Sequence, residues 1–89
     1  MNRYFERVVF TSQNVLDGKL ITVVYHDCDD DWQFFSDHDT NISSGAAKIA
    51  SLIEILKIDV SVIDLITHLP IGYRAIRKDR SNDWEINKL

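Results

Sequence analysis

LITVVYHDCDDDWQFFSDHD, residues Leu20–Asp39, sets two apolar runs on either side of an acidic turn. In the first run Ile21, Thr22, Val23, Val24 and Tyr25 have the β-branched and aromatic composition of a strand, which Lys19 and His26 bound. In the second, Trp32, Phe34 and Ser36 share one face while Gln33 and Phe35 share the other, because side chains alternate along a strand. Between the runs, Asp27–Asp31 has aspartate at four of its five positions, and aspartate both caps turns and tolerates left-handed backbone. The stretch therefore predicts a β-hairpin with Trp32 and Phe34 in the core.

Working outward, Arg7–Thr11 (RVVFT) follows the aromatic pair Tyr4 and Phe5 and suits a first strand. Gln13–Gly18 reads as a loop, and the turn dipeptide Asp17-Gly18 suggests that this strand forms a hairpin with the next. Past the acidic stretch, His38–Gly45 is polar and turn-forming. The following residues admit two readings. One is a single amphipathic helix from Ser44, with Ile49, Leu52, Ile53 and Leu56 at helical spacing. The other starts the helix at Ser51 and leaves Ala47–Ala50 extended, and the capping box Ser51-Leu-Ile-Glu54 favours it. Asp59 is placed to cap a further short helix, Val60–Thr67, which Pro70 prevents from continuing. His68 falls at that helix end, where an imidazole can bond the last carbonyls. Tyr73–Arg77 and Trp84–Ile86 suit closing strands, with Asn87–Leu89 expected to fray. Strands first, then helices, then returning strands predict an α+β fold: a small antiparallel sheet of four to six strands with two short helices packed on one face. Residues 1–89 are read as one domain, since a chain of 89 residues builds one modest core.

The 45% apolar and 27% charged content is that of an ordered globular chain. A single cysteine, Cys28, rules out an internal disulfide and suits a reducing, cytoplasmic compartment. No apolar run has signal-peptide length or approaches the ~18 residues of a membrane span, so no membrane association is expected. The net charge of -4 is unevenly placed, because Asp27, Asp29, Asp30, Asp31, Asp37 and Asp39 lie within a stretch that has no Lys or Arg. Such a cluster repels phosphate backbones and attracts basic partners. The opposite signal, Arg74, Arg77, Lys78 and Arg80, is short, is interrupted by Asp79 and reads as a solvated strand end, so nucleic-acid binding is not expected.

The acidic run opens like a calcium loop but its register fails. Counted from Asp27, the position that needs glycine is Trp32 and the one that needs a bidentate glutamate is His38. Asp37-His-Asp-Thr-Asn41 fails likewise, with Ile42 and Lys48 in those places. His26, Cys28 and His38 are potential zinc ligands without a recognised spacing. No serine lies in a nucleophile elbow, and Gly18, Gly45 and Gly72 form no phosphate loop. No catalytic residue, metal site or cofactor is expected.

Three segments together resemble a known family: Asp31-Trp32-Gln33-Phe34-Phe35-Ser36 with its acidic loop, Ile58-Asp59-Val60-Ser61-Val62-Ile63, and Leu69-Pro70-Ile71-Gly72 with Arg77 close behind. They are similar to a family of small bacterial domains of unknown function that genome context links to the immunity proteins of polymorphic toxin systems. Its members carry an acidic residue before Gly-Trp-x-Phe-x-x-Gly, then Asp-Pro-x-Ile, then Pro-x-Gly ahead of an Arg-containing strand. In this chain Asp31, Asp37 and Val60 replace the Gly, Gly and Pro of that pattern. The resemblance implies a non-catalytic protein that blocks a toxin by binding it, often through an acidic surface.

Charge and resemblance lead to one expectation: a cytoplasmic, immunity-like binding protein that meets a basic, toxin-like partner through Asp27, Asp29, Asp30, Asp31, Asp37 and Asp39. Two alternatives stand beside it, a metal-binding protein or small enzyme built on His26, Cys28 and His38, and an oligomerising structural module.

Overall fold

In the computed structural model, which describes residues 4–37, 39 and 47–89, the β2–β3 hairpin forms where the acidic stretch predicts it. Strands β2 (Val23–His26) and β3 (Trp32–Phe35) pair antiparallel, with Val24 opposite Phe34 and His26 opposite Trp32. The other elements are β1 (Val8–Thr11), α1 (Gln13–Leu16), β4 (Lys48–Ser51), α2 (Leu52–Ile58), α3 (Ile63–His68), β5 (Tyr73–Ile76) and β6 (Glu85–Lys88). Single 3-10 turns at Tyr4–Glu6 and Val60–Val62 lead into β1 and α3. The six strands form one sheet in the order β4-β1-β3-β2-β5-β6. The architecture is α+β, as the order of elements predicts.

Two details of strand order differ from expectation. β1 pairs with β3 in parallel, Phe10 opposite Gln33, so the sheet is mixed rather than wholly antiparallel. β1 and β2 are not neighbours, and Asp17-Gly18 makes no hairpin. Local chemistry explains this. Ser12 caps a helical turn by accepting from the Val15 N–H, Val15 is buried, and Gly18, at φ +96°, ends the turn by donating to the Val15 carbonyl. The segment read as a loop is thus a helical crossover, and it leaves room for β3 between β1 and β2.

Alternation along the strands puts one face of the sheet in the core. Val9, Val24, Trp32, Phe34, Ala50 and Ala75 come from the strands and meet Leu52, Ile55, Val62, Leu65 and Ile66 from the helical side. Trp32 and Phe34 are fully buried, 6.0 Å apart and nearly parallel, and the Trp32 indole N–H donates to the Tyr4 hydroxyl.

The choice between helix starts falls at Ser51. Its hydroxyl accepts from the Glu54 N–H while the Glu54 carboxylate accepts from the Ser51 N–H, and Lys48–Ser51 is a strand. The alternative start at Ser44, like the His38–Gly45 loop apart from Asp39, lies outside the described residues. Ser51→Ala is expected to destabilise by about 1 kcal/mol and lower Tm by roughly 4–8 °C, whereas Ser51→Asp holds Tm near wild type. Thermal melts followed by circular dichroism decide this.

Asp59 caps the next turn through the Ser61 N–H, and α3 stops at His68, whose Nδ1 lies 3.0 Å from the Asp64 carbonyl oxygen. The C-terminus does not fray where expected. Asn87 and Lys88 pair with Arg74 and Tyr73, and the Leu89 N–H donates to the Gly72 carbonyl at 2.9 Å. Ladder bonds continue as far as β5 offers partners, and that fixes the last turn of chain.

Candidate binding surface

The six aspartates do not form one patch. Asp27–Asp31 precede β3 and Asp37 and Asp39 follow it, so a four-residue strand separates two acidic groups at opposite ends of the sheet. Four of the carboxylates are engaged internally, that of Asp37 by accepting from the neighbouring Ser36 hydroxyl at 3.4 Å. Asp27 accepts from the Gln33 side chain and tightens the hairpin. Asp39 accepts from the Ser12 hydroxyl at 2.7 Å, the Asn14 amide at 2.8 Å and the Ser36 N–H at 2.8 Å. Asp30, in left-handed backbone at φ +69°, accepts from His26 Nε2 at 2.6 Å, and its carbonyl accepts from Arg7 Nη2 at 2.6 Å.

These bonds have a shared purpose. A parallel pair of strands needs its ends held, and Arg7–Asp30 holds one end of the β1–β3 seam while Ser12–Asp39 holds the other. The Thr11 hydroxyl donates to the Phe34 carbonyl between them, at 2.7 Å and buried. Sequence alone treats all six aspartates alike, because nothing local marks Arg7 and Ser12 as partners more than twenty residues away.

His26, a candidate metal ligand or catalytic base by composition, is committed to structure. Its ring stacks on Trp32 at 3.8 Å, and Nδ1 lies 2.8 Å from the Leu69 carbonyl oxygen. Each ring nitrogen thus faces an oxygen, Nδ1 that of the Leu69 carbonyl and Nε2 that of the Asp30 carboxylate. The hydrogen bond from His26, opposed by partial desolvation and aided by Arg7, holds the Asp30 carboxyl below the usual carboxylate range. Cys28 is exposed at the hairpin tip, and His38 lies outside the described residues. Among the described residues no group of three His, Cys, Asp or Glu side chains could hold a metal ion.

What the hairpin leaves for a partner is smaller and more defined than the full acidic cluster. Asp29 is exposed and Asp31 half-buried, and neither carboxylate makes a side-chain hydrogen bond among the described residues. The turn after α3 stands beside them, since the Gly72 N–H donates to the His26 carbonyl at 2.7 Å. A Cβ on Gly72 would lie 3.7 Å from Cys28 Sγ. That turn exposes Pro70 and Ile71, and Leu89 adds a second apolar side chain; Ile71 and Leu89 are each 52% exposed. An apolar centre with unpaired carboxylates at its margin is the usual anatomy of a protein-binding patch. The Leu-Pro-Ile-Gly motif signals the turn, but its place beside the hairpin depends on the β2–β5 pairing.

The basic group near the end of the chain is divided. Arg77 is buried rather than solvated: it donates from Nη2 to Asp59 at 2.7 Å, from Nη1 to the Ser61 hydroxyl at 3.0 Å and from Nε to the Ile21 carbonyl at 3.0 Å. Its guanidinium lies 4.2 Å from the centre of the Trp84 ring. Lys78 and Arg80 are exposed, and Arg80 approaches Asp59 at 3.7 Å. No helix among the described residues is long and apolar enough to cross a membrane.

Compared with family models, with curated proteins and with solved structures, the chain has no match.

Proposed function

We propose that this chain is a small, non-catalytic, cytoplasmic binding protein of the immunity type, whose hairpin tip and adjoining Gly72 turn receive a basic protein partner. The observation that carries the reading is the pair of unengaged carboxylates, Asp29 and Asp31, beside exposed Ile71 on a hairpin that His26, Asp30, Arg7 and Gln33 hold rigid. A tip ordered in advance loses little entropy on association, and its charge speeds encounter with a basic surface. Asp27 and Asp30 act by holding the tip, and Asp37 and Asp39 belong to the other end of β3. The sequence resemblance supports the immunity role, and the lone, unpaired Cys28 supports the compartment.

The partner to try is the product of the adjacent gene, titrated calorimetrically over a range of salt. Asp29→Asn/Asp31→Asn is expected to weaken binding about tenfold at low salt and to flatten the salt dependence, while Asp37→Asn leaves both near wild type. An unchanged affinity and salt slope in the double variant removes the hairpin tip from the mechanism. A neighbouring gene of metabolic function, whose product does not bind, counts against the immunity role itself.

A further inference from the structure

Two segments frame the candidate surface, and neither is held by apolar burial. In the hairpin tip, Asp27–Asp31, no residue is buried, and in the turn after α3 Pro70 and Ile71 are exposed and Gly72 is half-buried. Segments of this kind open more readily than a packed core, so the bonds that close them decide how they move. Those bonds converge on one residue. His26, 6% exposed, places Nε2 2.6 Å from the Asp30 carboxylate and Nδ1 2.8 Å from the Leu69 carbonyl oxygen, and its own carbonyl accepts from the Gly72 N–H at 2.7 Å. The Gly72 carbonyl accepts in turn from the Leu89 N–H, so the contacts run from the tip through His26 to the far margin of the patch.

We propose that the hairpin tip and the turn after α3 form one latch, opening and closing together, with His26 as the residue that couples them. The imidazole is rigid and planar, and it stacks on Trp32 at 3.8 Å with the rings 12° from parallel. Any motion of the ring off that seat moves both nitrogens, so the contact to Asp30 and the contact to Leu69 loosen together. The opposite end of β2 is closed by other bonds, from the Thr22 N–H to the Phe35 carbonyl and from the Arg77 N–H to the Thr22 carbonyl, and it stays shut when the latch opens.

The latch rests on the binding surface proposed above and adds how its parts communicate. Asp29 and Asp31 belong to one side of it, and Ile71 and Leu89 to the other. A partner that grips the carboxylates therefore also stills the apolar side chains, and the reverse holds by the same coupling. Two independent segments would each have to be ordered separately.

Native-state hydrogen exchange, followed by NMR on the free 89-residue chain, is the test, and it needs no partner, so the latch and the binding role fail separately. Asp27 and Asp30 report on the tip, Gly72 and Leu89 on the turn, and Thr22 and Arg77 serve as references, since each of these amides donates a backbone hydrogen bond. In the wild type the four latch amides are expected to share one opening free energy and one urea dependence, both below those of the references. Arg7→Ala is the decisive variant, because among the described residues the Arg7 guanidinium bonds Asp30 and no residue of the turn. It is expected to speed exchange about tenfold at Gly72 and Leu89 as well as at Asp27 and Asp30, the effect of losing one hydrogen bond from a charged group, with the references unchanged. His26→Phe, which keeps a ring on Trp32, confines the Arg7→Ala effect to the tip. Wild-type latch amides that divide into two sets overturn the proposal, as does an Arg7→Ala effect that never reaches the turn. A remote effect that survives His26→Phe overturns the role given to His26. The first two comparisons leave His26 in place, so they decide the latch even where His26→Phe does not fold.

Discussion

Arg77→Ala is expected to destabilise the fold by about 3–5 kcal/mol, the usual consequence of leaving one member of a buried ion pair uncompensated. An 89-residue domain has only about 5–13 kcal/mol in total, so the variant stands close to unfolding at physiological temperature. The magnitude follows from burial. The Arg77 and Asp59 side chains are 2% and 4% exposed, and truncation strands the Asp59 carboxylate, the Ile21 carbonyl and one face of Trp84 together. Urea denaturation measures the loss. Removing both charges, as in Asp59→Leu/Arg77→Met, is expected to cost less than Arg77→Ala alone, because no buried charge is then left unpaired. If the double variant is the weaker of the two, the pair is not what holds this corner.

The same pair sets an acid limit. Burial by itself would raise the Asp59 carboxyl, but hydrogen bonds from the Ser61 hydroxyl and N–H, with the charges of Arg77 and Arg80, hold it below the ordinary carboxylate range. A depressed folded-state value means that the unfolded chain binds the proton more readily. The stabilisation is therefore complete above about pH 4, the ordinary aspartate value, and disappears as pH falls through the lower folded value. Asp30 acts with the same sign through His26 and Arg7. Both corners weaken together in acid, and urea midpoints measured from pH 6 down to pH 3 should fall mainly over the last of these units.

Trp32→Ala is the second large effect, about 3–5 kcal/mol for a fully buried indole. Its consequences reach beyond the cavity. The ring is the platform on which His26 stacks at 3.8 Å, and His26 in turn joins Leu69 to Asp30. Loss of the indole therefore loosens the hairpin tip as well as the core. Trp32→Phe keeps an aromatic platform and loses only part of the volume and the hydrogen bond to Tyr4, so it is expected to retain more than half of the stability difference. Urea midpoints, together with the chemical shifts of His26 in each variant, separate the two effects. A Trp32→Ala protein whose His26 resonances match wild type shows that the stack does not support the tip.

Features set by neighbours in sequence are readable from the residues alone. The hairpin around Asp27–Asp31, the capping box at Ser51, the Asp59 cap and the stop before Pro70 each depend on groups within five residues of one another, and each forms. The strand order is different. A parallel pair such as Phe10 and Gln33 leaves no turn signal between its members, and the Asp17-Gly18 signal that does exist belongs to a helix end. The same distance effect governs the candidate surface. Asp29 and Asp30 are indistinguishable in sequence, and only the approach of Arg7 and His26 assigns one to structure and leaves the other free. Arg77 reads as solvent-facing until Asp59 and Trp84 close over it.

Strand order also governs how the chain reaches this state. Among the described residues, of five strand pairings only β2–β3 and β5–β6 join strands consecutive in sequence; the others need longer loops to close. Until those loops close, β2 and β3 lack their β1 and β5 neighbours, and the runs Val23–His26 and Trp32–Phe35 are of the composition that pairs into intermolecular sheet. Aspartates stand at both ends of β3, and like charges there oppose the stacking of one nascent hairpin on another. Acidic residues that brace the finished seam thus also place like charge where association of unfinished hairpins would begin.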